Sequence, residues 1–575
     1  MGRFCIVILT VLAVGTALCG CPALKAADPK PELAVSSDTY DFGTRGTHWS
    51  FFVWNGGAPG TTLDFVVFAE PEWLYVSPAE GSCAALDRPQ TVDVAINRKA
   101  LTRTHNRGTI AVSSNAGGVI VEVTVTVPDE GGEGEGEGEV NAVVVYVDRA
   151  NPSGQEDGLS WKTAYTTLQP AIDAADEAGG GEVWVAQGLY NEPRQTDNGA
   201  IVMRPGTHLY GGFAGGETER DARDPLRYIS TIDASNARAG APAYHAVIGA
   251  DNATLDGFTV KGGQALQEDT EDYKGGGLYN SYVAPTVENC VFTGNMAGYG
   301  GAVYTVGAAP RITHCVFKDN RVWGKGGALY NKEAWPVVAQ CAFADNSAIT
   351  SGGAVFNEQA SPRIRDCAFA RNQAGVSGGA LYNYRSPMTL INSILWANYT
   401  LGAGAGAVND ASNARIVCCT FAANSGPVLG AGLWNWKSSP EIVNCIFWDE
   451  PASTEILDGD DSSQPSVSFC GVRGGYPGEG NIKRDPLFRD LAAGDCRLTE
   501  GSPCIDAGRD TANPRFGGAD ADFTGQPRGF DGDGRGPDGT GDGSEYDIGA
   551  FEYAGEDGAP IPSLLDWGWK TVAYR

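Results

Sequence analysis

Apolar and polar positions alternate in short segments over residues 276–450, and the same pattern returns every 26 residues. Each unit reads Gly-Gly-(Ala/Gly)-(Leu/Val)-aromatic-Asn, then an aliphatic residue, then Cys-x-Phe-x-x-Asn. The apolar segments hold three to six residues rich in Val, Ile, Phe and Tyr, which favours strands. Gly pairs and prolines interrupt every run that would be long enough for a helix. A repeat of this length predicts a solenoid.

One repeat has room for three short strands and three turns, so each repeat is predicted to form one coil of a parallel β-helix. A propeller blade needs about 40 residues or more, which is longer than this unit. Stacked coils lie roughly 4.8 Å apart, the ordinary distance between paired strands. Parallel crossovers are almost always right-handed, so the predicted fold class is an all-β, right-handed parallel β-helix with three strands per coil.

Stacking places equivalent residues in columns along the helix axis. The aliphatic column and the phenylalanine column are predicted to fill the interior, because each strand buries one face. The asparagine columns are predicted to lie at turns, where Asn tolerates the left-handed conformation and its amide can bond the next coil. The aliphatic column comprises Val287, Ile312, Val338, Ile364, Leu390, Ile416 and Ile442, and the phenylalanine column Phe292, Phe317, Phe343, Phe369, Leu395, Phe421 and Phe447.

A cysteine column runs beside them. Stacked strands would bring the Cα atoms within disulfide range, but parallel Cβ vectors hold the sulfur atoms apart. We therefore predict buried free thiols that pack as small hydrophobes. Cys496 and Cys504 lie outside the column and are candidates for a disulfide with each other. The column comprises Cys290, Cys315, Cys341, Cys367, Cys419 and Cys445.

The first 21 residues have the features of an export signal. Arg3 supplies a positive charge, and Phe4 to Leu18 form an apolar segment too short to span a bilayer. The segment ends in Leu18-Cys19-Gly20-Cys21, which resembles the lipobox of bacterial lipoproteins and implies lipidation of Cys21. The alternative is an ordinary secretory signal and a secreted protein. No later segment has 18 consecutive apolar residues, so the only predicted membrane contact is the lipid anchor.

Residues 22–31 are predicted to be a tether and residues 32–128 a small immunoglobulin-like β-sandwich, because strand-like runs recur about every ten residues. The segments Glu72-Trp-Leu-Tyr-Val-Ser-Pro-Ala-Glu-Gly81 and Arg107-Gly-Thr-Ile-Ala-Val112 resemble the BACON-type domain of bacterial surface proteins. That resemblance implies a carbohydrate-binding module, and a plain spacer is the alternative. Residues 129–139 alternate Gly and Glu and are predicted to be an extended linker.

Residues 140–555 are predicted to hold the β-helix and its two ends. Leu168, Ile172 and Ala175 share one helical face, which predicts a short helix capping the first coil. The opening segment resembles the pectate-lyase-like superfamily, and the Cys-x-Phe-x-x-Asn units resemble polymorphic outer-membrane proteins. Residues 485–488, 497–508 and 546–552 together resemble the choice-of-anchor Q region of exported β-helix proteins, which implies closure of the C-terminal end. Residues 556–575 form a tail.

The formal net charge of −29 argues against a nucleic-acid partner, because nothing basic offsets phosphate repulsion. An acidic Gly-rich segment near the C-terminus resembles a Ca²⁺ loop, although Arg535 breaks the strict pattern. Calcium is the only cofactor that the sequence suggests, and a loop without metal is the alternative. The candidate ligands are Asp531, Asp533, Asp538 and Asp542.

Two sets of polar residues fall into columns that qualify as reaction sites. Asp319, Asp345 and Arg371 share one column, and Lys332, Glu358 and Asp410 share another. Both columns mix charges, which is also typical of solvated turns carrying complementary pairs. No pair of carboxylates recurs with an evident acid–base partner, so no catalytic residue is assigned.

An aromatic column is the stronger candidate for ligand binding. Were its rings to point outward, they would form a row suited to sugar stacking; in the opposite phase they would belong to the core. Its members, with one neighbouring ring, are Tyr279, Tyr304, Tyr330, Phe356, Tyr382, Trp434 and Trp436.

Two functions remain compatible with the sequence. The first is an exported, lipid-anchored protein of the bacterial outer membrane or cell surface that binds polysaccharide or surface glycan without catalysis. The second is a polysaccharide lyase or glycoside hydrolase. The first is favoured, because a repeat this regular leaves little room for a unique reaction centre.

Overall fold

The structure is a computed structural model. It describes residues 30–31, 33–35, 39–42, 48–57, 61–70, 73–77, 80–84, 89–96, 101, 105–126, 143–194, 196, 198–427, 432–449, 454–511, 521–529 and 545–553. The chain divides into two compact units. The first comprises residues 1–85 and 90–126, and the second comprises residues 127–575 together with 86–89.

The first unit is a β-sandwich of two sheets. Alternate residues of its strands are buried, and Phe51, Leu63, Val92, Ile110 and Val121 form the centre of its core. One sheet has the order Leu33–Val35, His48–Asn55, Gln90–Ile96, Leu74–Ser77. The other has the order Thr39–Asp41, Gly117–Thr126, His105–Ser114, Thr62–Glu70, Glu80–Ala84. All pairings are antiparallel except that of Thr39–Asp41 with Gly117–Thr126.

The second unit is a parallel β-helix, as the repeat predicts. Its strands form three long parallel sheets, which we name sheets I, II and III. Sheet I comprises Val144–Val147, Gly181–Ala186, Thr207–Phe213, Thr254–Asp256, Thr286–Glu288, Arg311–Thr313, Val337–Ala339, Arg363–Arg365, Thr389–Ile391, Arg415–Val417, Glu441–Val443 and Ser466–Ser468. Sheet II comprises Gly188–Tyr190, Ser230–Asp233, Phe258–Lys261, Val291–Thr293, Val316–Lys318, Ala342–Ala344, Ala368–Ala370, Ile394–Trp396, Thr420–Ala422, Ile446–Trp448 and Gly471–Val472. Sheet III comprises Ile201–Val202, Val247–Ile248, Leu278–Ser281, Val303–Val306, Leu329–Lys332, Val355–Glu358, Leu381–Tyr384, Ala407–Asp410, Leu433–Trp436 and Ile456–Asp458.

Six consecutive coils also contain a fourth, two-residue strand, which the sequence did not predict. These strands form sheet IV and lie between sheets II and III along the chain. A residue with φ near +50° to +70° stands at each of the tight corners, for example Asn289, Gly294 and Gly300 within one coil. The strands of sheet IV are Gln264–Ala265, Met296–Ala297, Arg321–Val322, Ser347–Ala348, Gln373–Ala374 and Tyr399–Thr400.

The interior is built from the predicted columns. Every member of the aliphatic and phenylalanine columns is fully buried, and neighbouring rings such as Phe343 and Phe369 stack with centroids 4.7 Å apart. The column cysteines are buried and free, as are Cys496 and Cys504, so the suggested disulfide between those two is absent. Burial raises the pKa of the Cys315 thiol and that of the Cys367 thiol well above the ordinary value for cysteine.

The asparagine columns correct one prediction. Their amides do bond the next coil: Asn346 Nδ2 donates to Asn372 Oδ1 over 3.0 Å, and Asn357 Nδ2 donates to Asn383 Oδ1 over 2.8 Å. In the Asn346 column, however, the left-handed residue is the one before, such as Asp345 or Arg371, and the Asn357 column lies within the strands of sheet III rather than at a turn. The asparagines of both columns are buried, and those of the Asn346 column also bond backbone groups, as Asn372 Nδ2 donates to Phe343 O and Asn372 Oδ1 accepts from Asn346 N.

The helix Leu168–Glu177 lies at the first coils, where it was predicted. Leu168, Ala171, Ile172 and Ala175 join the interior core of the β-helix. Short 3₁₀ turns occur at Trp161–Thr163, Arg220–Ala222, Glu271–Tyr273 and Leu491–Ala493.

The C-terminal segments pack along the side of the β-helix, which corrects the prediction that they close its end. Cys496, Phe523 and Phe551 cover the outer face of sheet II at Ala368, Ile394 and Ala422. The outward column that contains Ala370, Trp396 and Ala422 is apolar in these covered coils, whereas earlier coils carry Thr293 and Lys318 in the same column. At the last coils, Ile482 N donates to Cys470 O over 2.9 Å, and Leu498 and Cys504 pack in one cluster with Ile446 and Ile482. The remaining pair of strands is Phe488–Asp490 and Asp495–Leu498.

Candidate functional site

The outer face of sheet III carries two columns of side chains from every regular coil. The Leu278 column points into the core, so alternation places the next residue of each strand on the outside. The register pairs Tyr279, Tyr304, Tyr330, Phe356, Tyr382, Val408, Trp434 and Leu457 in one outer column. It pairs Ser281, Val306, Lys332, Glu358, Tyr384, Asp410 and Trp436 in the other.

The rings of the first column stack on one another. Centroid distances between neighbours from Tyr279 to Tyr382 run from 5.0 to 5.8 Å, with interplanar angles of 13–15°. Tyr304, Tyr330 and Phe356 are 3%, 5% and 2% exposed. Sugar stacking requires a free ring face, and both faces of these three rings are occupied by neighbours. The prediction that they form a sugar platform is therefore wrong, and their role in the structure is packing.

The polar column supplies hydrogen-bond acceptors for these rings. Tyr382 Oη donates to Asp410 Oδ2 of the next coil over 3.1 Å, and Tyr330 Oη donates to Glu358 in the same way. Burial, followed by the carboxylate, raises the pKa of the Tyr330 phenol above its ordinary value. Glu358 and Asp410 are thus engaged by tyrosines, while Lys332 lies 3.9 Å from Glu333 in an exposed pair.

The other predicted polar column lies at a corner. Asp319, Asp345 and Arg371 all occupy left-handed positions after sheet II. Arg371 makes a bidentate ion pair with Asp345, with Nε to Oδ1 at 2.9 Å and Nη2 to Oδ2 at 2.6 Å. Asp319 lies 3.9 Å from Lys318. This column therefore carries complementary surface pairs, the alternative that the mixed charges had left open.

The aromatic column changes character toward its C-terminal end. Val408 interrupts the stack, so the Trp434 ring has no tyrosine neighbour in its own column. Trp434 instead packs against Trp436, with centroids 5.9 Å apart and an angle of 29°. Both indoles are half-buried. Gly459 makes this arrangement possible, because a Cβ there would lie 2.7 Å from Trp434 Nε1 and 2.9 Å from the Trp436 ring.

We name Tyr384, Asp410, Trp434 and Trp436 the aromatic patch. Tyr384 and Trp436 flank Asp410 in one column, so the two half-buried rings are about two strand spacings apart, or roughly 10 Å. Arg385 lies over the Tyr384 ring at 5.2 Å. The patch combines partly open aromatic surfaces with the carboxylate of Asp410, and the Arg385 guanidinium lies beside it. Of these residues, Tyr384 and Gly459 were not predicted as site residues, although the alternation of sheet III could have identified Tyr384.

The opposite end of the face is covered by an acidic insertion, residues 264–274. Tyr279 Oη donates to Glu271, and Lys274 Nζ lies 2.9 Å from Glu271 Oε1. His245 stacks on Tyr279 at 4.8 Å, and its Nε2 lies 3.3 Å from Asp272. Burial lowers the pKa of His245, opposed by Gly275 O and Asp272. The insertion thereby closes the N-terminal end of the ring stack.

Several predictions fall on residues outside the described ranges. These are lipidation of Cys21, the linker at 129–139 and the Ca²⁺ loop at Asp531, Asp533, Asp538 and Asp542. Within the described ranges, no three His, Cys, Asp or Glu side chains are grouped to hold a metal ion. None of the helices described there is long and apolar enough to cross a membrane.

The family model described as right handed beta helix region matches residues 246–421. Comparison with curated protein sequences gives no significant match. Among solved structures, three periplasmic chaperones match part of the chain, and the chain spans 55–58% of their length. The chaperone SfaE, for instance, is 8% identical over 17% of this chain and 58% of its own, with a TM-score of 0.15.

Further matches cover more than half of this chain. Pectin methylesterase PemA from Erwinia chrysanthemi is 9% identical over 56% of this chain and 92% of its own, with a TM-score of 0.28. The A-module of the Azotobacter vinelandii mannuronan C-5 epimerase AlgE4 is 12% identical over 56% and 99%, with a TM-score of 0.23. A tailspike protein of E. coli bacteriophage HK620 is 12% identical over 55% and 62%, with a TM-score of 0.24.

Proposed function

We propose that this chain is an exported, lipid-anchored protein of the bacterial cell surface whose β-helix binds polysaccharide through the aromatic patch without cleaving it. The observation that carries the proposal is the arrangement of half-buried Tyr384 and Trp436 on either side of Asp410, with Trp434 packed beside them. Indole and phenol rings offer an apolar face together with a polar edge, as the two kinds of surface on a sugar require.

The geometry of sheet III supports an extended ligand. Its columns run along the helix axis, and strand spacing repeats binding positions at roughly 4.8 Å. The C-terminal segments cover the outer face of sheet II, and the insertion covers the start of sheet III. The described end of sheet III near Trp436 keeps its aromatic surface partly open. A polymer lying along the axis would contact Tyr384 and Trp436 simultaneously.

The proposed location at the cell surface rests on the first 128 residues. The Cys21 motif resembles a lipobox, and residues 32–128 resemble a BACON-type domain, whose sandwich would stand between anchor and β-helix along the chain. The C-terminal segments resemble a choice-of-anchor Q region. These resemblances support export and attachment through lipid.

The absence of cleavage is proposed because the carboxylates of the face are already used. Glu358 and Asp410 each accept a tyrosine hydroxyl, and Tyr384 stands between them in the column. A glycoside hydrolase needs two carboxylates that flank the bond with room for a sugar between them. A lyase or hydrolase remains the competing function, and product formation distinguishes it.

The proposal is tested by screening the chain on an immobilised polysaccharide array and measuring affinity for the polysaccharides that it retains. The same polysaccharides are then incubated with the chain and assayed for reducing ends and unsaturated products. We expect retention of at least one polysaccharide and no product.

A matched pair of variants locates the site. Trp436→Ala removes a ring of the patch, whereas Trp323→Ala removes a tryptophan that is 55% exposed at the corner after sheet IV. We expect only Trp436→Ala to lose retention. Product formation would establish the catalytic alternative, and equal loss in both variants would remove the patch as the binding site.

A further inference from the structure

The regular coils repeat the same surface, so a unique site is best sought where the repeat is broken. Two consecutive coils are irregular: residues 234–244 form a loop with left-handed Ala239 and Gly240, and residues 264–274 form the acidic insertion. Gln264 N donates to Ala243 O over 2.7 Å, which holds the two segments together. A cleft of about 370 Å³ lies between them, a volume suited to a small ligand. Its lining is Arg238, Pro242, Tyr244, Gln264, Leu266 and Gln267.

Arg238 is held in a fixed orientation in this cleft. Its guanidinium lies over the Tyr244 ring, with Cζ 3.9 Å from the centroid. Nη1 donates to Tyr244 Oη over 2.7 Å, and Nε donates to Pro242 O over 3.2 Å. These contacts leave Nη2 without a hydrogen bond to any described residue. A guanidinium positioned in advance loses less conformational freedom when it binds an anion.

No described carboxylate forms an ion pair with Arg238. The amide side chains of Gln264 and Gln267 likewise make no hydrogen bond to another described group, although both line the cleft. Three polar side chains are thus directed at the same small space with donors unused. An arginine that is held in place in a cleft without a carboxylate partner is a candidate for binding an anion.

A second arginine, Arg194, contacts the same loop through its backbone. Arg194 N donates to Ala237 O over 2.8 Å, and Arg194 Nη1 donates to Gly199 O over 3.0 Å. Its Nε and Nη2 are buried and, among the described residues, have no hydrogen-bond partner. Arg194 does not line the cleft. In the insertion, Asp272 lies beside His245, Glu271 pairs with Lys274, and Glu268 and Asp269 are exposed.

We propose that this cleft binds a small acidic sugar, a uronate, with its carboxylate on Arg238. The guanidinium fork matches a carboxylate, and the amides of Gln264 and Gln267 with the Tyr244 hydroxyl supply partners for sugar hydroxyls. This site is separate from the aromatic patch and stands whether or not the patch binds polysaccharide. The acidic rim formed by exposed Glu268 and Asp269 disfavours polyanions and so favours a single uronate or a chain end.

The test is isothermal titration calorimetry of the full chain with sodium D-glucuronate, with D-glucose and sodium acetate as comparison ligands. Glucuronate is expected to bind, glucose to give no measurable heat, and acetate to bind more weakly. Arg238→Lys keeps the charge but loses the fork, and is expected to weaken glucuronate binding about tenfold or more. Gln267→Ala, at an exposed side chain, is expected to weaken it by a smaller factor.

Two controls keep the outcome interpretable. Arg321→Ala removes an exposed arginine on sheet IV and is expected to leave glucuronate affinity unchanged. Trp436→Ala is also expected to leave it unchanged, so failure of the patch and failure of the cleft give different results. The proposal is overturned by an absence of glucuronate binding, by acetate binding as tightly as glucuronate, or by Arg238→Lys retaining full affinity.

Discussion

Arg528 Nη2 donates a hydrogen bond to Asn392 Oδ1 over 2.9 Å, although 136 residues separate the two along the chain. Arg528 also forms an ion pair of 2.8 Å with Glu552, and both side chains are fully buried. The contact ties a C-terminal segment to a corner between sheets I and II. The C-terminal segments are therefore an integral part of the β-helix surface.

Replacing Arg528 with Met should destabilise the chain by about 3–5 kcal/mol, because Glu552 would remain buried without its counter-charge. Burial already raises the pKa of Glu552 to about 7 against the opposing effect of Arg528, so the loss should be greatest above neutral pH, where Glu552 must ionise. Urea unfolding measures it. Arg371→Met, which breaks a pair about one-third exposed, is the control and should cost less than about 1 kcal/mol. Equal losses for both would contradict the assignment of a buried anchor.

Asn372→Ala should destabilise the β-helix by about 2–4 kcal/mol. The substitution strands the backbone N–H and Nδ2 of Asn346, which both donate to Asn372 Oδ1, and frees the carbonyl of Phe343. Asn236→Ala is the matched control, because Asn236 is exposed and its side chain makes no hydrogen bond to a described residue. Thermal unfolding of the two variants gives the comparison. A small effect of Asn372→Ala would show that the buried ladder does not hold the coils together.

The cysteine column already contains a serine at one of its positions. Ser393 occupies the position between Cys367 and Cys419, accepting from Cys367 N and donating to Ile391 O over 2.8 Å. Cys367→Ser should therefore cost less than about 1 kcal/mol, since its hydroxyl can donate to Arg365 O as the thiol does. Cys367→Leu should cost about 1–3 kcal/mol by overpacking the interior. The reverse order, measured in urea, would contradict the packing described.

The asparagine column that contains Asn346 and Asn372 ends at Asn424, which bonds a buried pair of acids that makes stability depend on pH. Asp449 Oδ1 accepts from Asn424, and Asp449 N donates to Glu455. Burial raises the pKa of Asp449 to about 7 and that of Glu455 to about 9. Both values exceed those of the unfolded chain, so the native state binds more protons, and stability is lost as pH rises through 7 and 9.

Asp449→Asn should remove part of this dependence. The new Nδ2 would replace an oxygen that has no hydrogen-bond partner among the described residues, and it could donate to Glu455. We expect a gain of roughly 2 kcal/mol at pH 9 and little change at pH 4. The free energy of unfolding of both proteins, measured in urea from pH 4 to pH 9, checks this difference. The prediction fails if the gain is equal at both ends of the range.

The regular coils could be predicted from the sequence because one residue type recurs at each position. Phe292 and Phe317, for example, indicate both the length of the repeat and which side chains of sheet II point into the core. The two-residue strands of sheet IV were missed, since Met296–Ala297 is too short to show alternation. The lateral packing of Phe523 and Phe551 was also missed, because nothing in a local pattern specifies which distant face an apolar segment covers.

The site was predicted less completely. Alternation left the aromatic column with two phases, and only the packing of Leu278 in the core decides between them. Even then, outward direction did not mean exposure, because rings such as Tyr304 and Tyr330 cover each other. The interruption at Val408, visible in the sequence, is what separates the closed stack from the open end at Trp434 and Trp436.

The proposed function depends most directly on the pair Trp434 and Trp436. Affinity electrophoresis in gels containing the polysaccharide retained on the array measures binding by the whole chain, with Trp323→Ala as the control at an exposed tryptophan outside sheet III. The wild type and Trp323→Ala should be retarded equally, and the double variant Trp434→Ala/Trp436→Ala should migrate as in a gel without polysaccharide. Equal retardation of all three would contradict the assignment of this face as the glycan-binding site.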